Sequence, residues 1–141
     1  MNDEVYSTDN ILMETIALDD NITLKLFDDS TRLPDDNWQV TLTARLEIPI
    51  DTLYRSERAD LPRADVLRAA LGDPLVYEHK NVRQFVPAKE KQALLGSLIG
   101  TFKANVFPYI ARPDFHVNYA AVAYREHAKR KTWYPDEPQG S

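Results

Sequence analysis

The chain has no cysteine. Disulfides, thiolate metal sites and cysteine nucleophiles are thereby excluded, and nothing points to an oxidising compartment. Glycine is scarce: there are four among 141 residues, and none before Gly72. No G-x-G-x-x-G or other phosphate-cradling loop can be written from them, and no G-x-S-x-G elbow is present. Nucleotide cofactors held by a glycine-rich loop are therefore excluded, and no cofactor is expected. Histidine occurs three times, as His79, His116 and His127. Their spacing offers no helical H-x-x-x-H, and Glu78 and Glu126, being adjacent to two of them, cannot share a helical face with them. A metal site needs three or four converging ligands, so none is expected. No apolar run approaches the length of a membrane span. Met1 is followed by Asn2, Asp3 and Glu4 rather than by a basic segment and an apolar run. The expectation is a cytoplasmic protein with no membrane attachment.

Bases are nearly missing from one end. Residues 1–37 carry ten acids and two bases, a net of −8, and the rest carry twelve acids and fifteen bases, a net of +3, within an overall −5. Such asymmetry can direct association with a partner or with another copy. Asp and Asn also make turns with no partner at all. The acidic turn residues contain no D-x-D-x-D-G loop, so they read as solvated turns rather than a calcium site.

What is present is a long alternating stretch, Trp38 to Ile50. Trp38, Val40, Leu42, Ala44, Leu46, Ile48 and Ile50 fall on one parity; Gln39, Thr41, Thr43, Arg45 and Glu47 fall on the other. Successive strand side chains point to opposite faces, so this predicts a strand with one dry and one wet face. A single dry face implies an antiparallel sheet. Ile11–Leu18 and Ile22–Phe27 predict a hairpin joined at Asp19-Asp20-Asn21, Asp28–Asn37 a loop, and Leu75–Val86 a fourth strand. In Ile11–Leu18 the alternation is spoiled by Glu14, which shares a parity with Leu12 and Ile16. Asp60-Leu61-Pro62 reads as a helix start, with Gly72 as its stop. Residues 114–131 predict a helix with Asp114 as N-cap, a fifth strand being the alternative. The expected architecture is α+β: a four-stranded, mainly antiparallel meander with two to three helices on one face. It occupies a single domain over residues 1–134, with 135–141 a loose tail.

The strongest helical pattern runs from Ala88 to about Val106 and carries two stripes. Leu94, Leu95, Leu98, Ile99, Phe102 and Val106 form one; Ala93, Gly96, Gly100, Ala104 and Phe107 form the other. Interior glycines cost a helix about 1 kcal/mol each relative to alanine. The second stripe therefore predicts close approach by another helix or another subunit. Pro108 is expected to end or kink this helix.

Two further sets carry chemistry. Arg125, Lys129, Arg130 and Lys131, followed by Trp133 and Tyr134, combine cations with rings as nucleic-acid contacts do. The acidic balance, with a pI near 5.1, argues against that partner. Tyr77, Tyr109, Tyr119 and Tyr124 with the three histidines are what an enzyme or ligand carrier would use to line a pocket between sheet and helices. No motif names a reaction, so no catalytic residue is assigned. The leading reading is a non-enzymatic binding or assembly module whose partner is another protein or a second copy of itself.

Overall fold

The computed structural model describes residues 10–18, 21–55 and 61–133. In chain order the strands are β1 (Ile11–Ala17), β2 (Thr23–Asp28), β3 (Thr31–Leu33), β4 (Asn37–Ile48) and β5 (Leu75–Pro87). The helices are α1 (Ala64–Leu71), α2 (Lys91–Asn105), α3 (Phe107–Ile110) and α4 (Pro113–Trp133), with 3₁₀ turns at Ile50–Tyr54 and Ala88–Glu90. The expected turn at Asp19–Asp20, the helix start at Asp60 and the segments 1–9 and 134–141 lie outside the described residues. The fold is α+β, with a curled antiparallel sheet. Contacts divide the chain into two units, Met1–Glu47 with Val76–Tyr109 and Ile48–Leu75 with Ile110–Ser141.

In the first unit β4 is the central strand. Its dry face is buried as the alternation predicts: Val40, Leu42, Ala44 and Leu46 are 2% exposed or less, as are Leu24 and Leu26 opposite them on β2. Each buried leucine contributes about 2 kcal/mol of transfer free energy. Pro49 ends the strand, since it has no N–H to donate.

The segment Asp28–Asn37 is not the expected loop but carries strand at both ends and in its middle. β2 and β3 hold one register against β4, from Thr23↔Glu47 through Asp28↔Leu42 to Thr31↔Gln39 and Leu33↔Asn37. They are one strand interrupted at Asp29-Ser30. Across the interruption the Asp29 N–H donates to Thr41 O (3.0 Å), and the Thr41 N–H donates to the Ser30 hydroxyl (3.1 Å). Only Pro34-Asp35-Asp36 turns, with Asp35 and Asp36 both at positive φ (61° and 60°). Polar composition suggested a loop because the residues flanking the turn bond through their side chains instead of packing apolar groups.

β1 pairs with β2 as expected, and a bulge between Leu12 and Glu14 puts those two residues on opposite faces, while Glu14 stays on the face of Ile16. The extra residue, Met13, shifts the face, so that Glu14 reaches Lys103 on α2 at 2.9 Å while Leu12 lies opposite Phe27. β5 pairs with the other side of β4. Hydrogen bonds Arg45–Glu78 (3.0 Å) and Gln84–Gln39 (2.9 Å) set an antiparallel alignment, 45 to 39 against 78 to 84.

α2 lies on the dry face. Leu95, Leu98 and Phe102 are buried, and Phe102 sits 5.9 Å from the His79 ring of β5. At its start Lys91 Nζ is 3.0 Å from Asp28 Oδ2 and 4.6 Å from the centroid of the Trp38 ring. The helix stops at Asn105, and Pro108 falls in the first turn of α3, where its missing N–H costs nothing.

In the second unit α1 packs against the Ile50–Tyr54 turn and against α4. The Ile50 N–H donates to Asp73 Oδ1 (3.1 Å), and Arg68 bridges Asp73 (2.8 Å) and Asp51 (2.6 Å), tying the end of α1 to that turn. The residue before α1 is Arg63, with no side-chain cap; Asp65 supplies the acid of the first turn. Residues 113–133 are one helix, which removes the fifth-strand alternative. The strand-like alternation covers only Phe115–Tyr119, and in the helix those two rings stack at 6.1 Å, one turn apart. Asp114 lies inside the first turn rather than at the N-cap.

Candidate interaction surface on the glycine-bearing helix

A helical turn advances 100° per residue. On α2 this places Ala93, Gly96, Ser97, Gly100, Thr101 and Ala104 on one line, opposite Leu95, Leu98 and Phe102. The first set is exposed and the second is buried. The outward line therefore points away from the sheet. It carries no charge, whereas the solvent face of a surface helix ordinarily does. A Cβ added at Gly96 or Gly100 would meet nothing within 4 Å among the described residues. The close approach expected along this stripe is not made by any described residue of this chain. Phe107, the last member of the expected stripe, belongs to α3 and is half-buried.

The four cations of α4 are exposed but do not share a face. Arg125 and Lys129 lie one turn apart on one flank and Arg130 on the opposite flank, with Glu126 between. Lys131 lines an open hollow of about 460 Å³ between α4 and α1, beside Val66, Ala69, Ala70 and His127. A phosphate backbone would meet only part of this set.

The histidines have separate neighbours. His79 faces Phe102 at 5.9 Å, and His127 stacks on Tyr124 at 6.5 Å. His116 is buried, with Nε2 2.8 Å from Ile110 O. Burial disfavours its charged form and the carbonyl favours it; burial wins, so the pKa lies below the ordinary value. Tyr77 is half-buried, and burial, with Tyr109 beside it, raises its hydroxyl above the usual range. Tyr109 is exposed, and Tyr119 stacks on Phe115. Among the described residues no group of three His, Asp or Glu side chains is placed to hold a metal ion, and no helix is long and apolar enough to cross a membrane.

The second sheet face is drier than its polar alternation implies. Thr41 and Thr43, expected in water, are 5% and 1% exposed. Thr43 Oγ1 donates to Asp29 Oδ2 at 2.5 Å, and Phe27, opposite Thr43, is covered by the Arg45 guanidinium 4.9 Å from its ring centroid. Beside them is an open hollow of about 440 Å³ lined by Asp29, Gln39, Thr41, Arg45, Glu78 and Lys80, among others. The available signal was the run Asp28-Asp29-Ser30 continuing the parity of β2.

Comparison with known proteins gives no relative: no family model matches the chain, and no curated protein and no solved structure is similar to it.

Proposed function

We propose that the chain is a small cytoplasmic binding and assembly module, non-enzymatic, that pairs with a second copy of itself through the outward line of α2. The observation that carries this reading is the uncharged, small-residue face of Ala93, Gly96, Gly100 and Ala104, open to solvent and directly opposite the buried stripe. Two glycines inside a helix cost stability, and no described residue packs closely on them to offset it. Their benefit is a helix axis that another helix can approach closely.

The order of the line favours a like partner. Read from either end it runs alanine, glycine, glycine, alanine. An antiparallel pair about a two-fold axis near residue 98 sets Ala93 of one copy opposite Ala104 of the other, and the glycines face each other's flanks. Isologous contacts require such self-complementarity. The cations of α4 take no part in this reading, and nucleic acid is not the proposed partner.

Sedimentation velocity of the full chain tests it. The wild type is expected to show a concentration-dependent dimer. Gly96→Leu, whose side chain enters open space in the single copy, is expected to be folded and monomeric. A wild type that stays monomeric at high concentration rejects the self-association, and a Gly96→Leu protein that still dimerises rejects this surface.

A further inference from the structure

The hollow on the second face of the sheet has a chemistry that the α2 surface does not use. In the shared register of β2 and β3 against β4, Asp29 lies across from Thr41. The alignment of β5 set by Arg45–Glu78 and Gln39–Gln84 lays Val82 beside Thr41 and Lys80 beside Thr43. Asp29 and Lys80 thus stand on the two outer strands with the threonine positions of β4 between them. Two strand spacings and one residue pair along the strand separate their Cα atoms by about 12 Å.

The charges around this hollow are unequal in availability. Arg45 is committed: both Nε and Nη2 lie 3.0 Å from Glu78 Oε2, and its guanidinium caps Phe27. That pair is mutually neutralised. Lys80 is exposed and forms no ion pair within the described residues. Asp29 is half-buried and oriented, because Thr43 donates to its Oδ2. Its neighbours hold the backbone that aims it: Asp28 turns to the other face to meet Lys91 (3.0 Å), and Ser30, 5% exposed, accepts from the Thr41 N–H. Asp29 keeps the parity of β2 and so stands on the same sheet face as Thr41 and Thr43.

What remains among the described residues is a fixed carboxylate, an ammonium outside any ion pair, and amide and hydroxyl groups between them. Among the described residues no aromatic ring lines the hollow, so sugars and bases find no stacking platform there. Among the described residues, a phosphate would find Lys80 as a cation outside any ion pair, beside a carboxylate that repels it. The volume, about 440 Å³, falls in the range of small-molecule sites. The geometry points to a site for a small zwitterion of amino-acid to dipeptide size, its ammonium on Asp29 and its carboxylate on Lys80, with Thr41 and Gln39 bonding the polar atoms between.

A backbone-amide NMR titration of the full chain with glycylglycine tests this. The expected result is saturable shifts confined to the amides around Asp29, Thr41 and Lys80. N-acetylglycine lacks the ammonium and glycinamide lacks the carboxylate, and each is expected to bind about tenfold more weakly. Lys80→Gln and Asp29→Asn are each expected to lose about tenfold in glycylglycine affinity. Should Asp29→Asn disturb its threonine neighbour, Lys80→Gln, at an exposed position, still decides. Absence of local shifts at tens of millimolar glycylglycine overturns the site, and so does binding of either singly charged analogue as tightly as glycylglycine.

Discussion

Two buried ionisable groups set how this protein should respond to acid. Asp28 is 6% exposed. Burial alone would push its carboxyl up, but the hydroxyl and amide of Ser30 and the ammonium of Lys91 outweigh it, so its pKa lies below the ordinary value. Stabilisation from Asp28 is therefore complete above the normal carboxylate range and is lost as pH falls through its lowered pKa. His116 is depressed for the opposite electrostatic reason, a buried ring that resists charging. Its contribution is complete above the unfolded histidine value, about 6.5, and is lost as pH falls below that. Thermal melts should accordingly show two steps on acidification, the first below about pH 6.5 and the second in the carboxylate range. His116→Gln retains a donor for Ile110 O without titrating, and it should remove the first step alone. An unchanged first step in that variant would assign the acid sensitivity elsewhere.

Elements were legible where one periodicity ran uninterrupted. β4 gave its dry face from parity alone, and the core stripe of α2 gave the helix that covers it. The failures sit at interruptions, which no window of hydrophobicity reports. Met13 moves Glu14 to the helix side of β1, Asp29-Ser30 hides the join of β2 and β3, and Phe85, at φ 54°, changes parity so that Val86 enters the core and Phe85 stays 71% exposed. Thr41 and Thr43 read as solvent-facing because alternation assigns a side, not a depth. Depth comes from the curl of the sheet and from neighbours such as Phe27. The small-residue stripe on α2 was legible as a line of positions, but whether this chain covered it depended on tertiary placement. That placement makes an element-scale expectation. With no packing neighbour among the described residues within 4 Å of a new Cβ, Gly96→Ala and Gly100→Ala should each stabilise the isolated fold by about 1 kcal/mol, read by urea denaturation at low protein concentration. A loss of stability in either would mean the helix needs its glycines for itself.

At the scale of the whole molecule, two physical terms compete for control of self-association. Each copy carries a net charge of −5, so the long-range field between copies is repulsive. The uneven distribution, acidic in residues 1–37 and basic beyond, offers local attraction that could offset this. The α2 line itself is uncharged, and the nearest described cation, Lys103, is paired with Glu14 at 2.9 Å. If small-residue contact governs the dimer, added salt screens the net repulsion and leaves the contact intact. If the acidic end seeks the basic end of another copy, salt weakens it. The screening length shrinks from about 10 Å at 0.1 M to about 3 Å at 1 M, so the two cases separate within that range. The dimer is expected to hold or strengthen as salt rises across it, followed by sedimentation velocity at one fixed protein concentration. Dissociation with salt would transfer the interface from the neutral face of α2 to the charged ends of the chain.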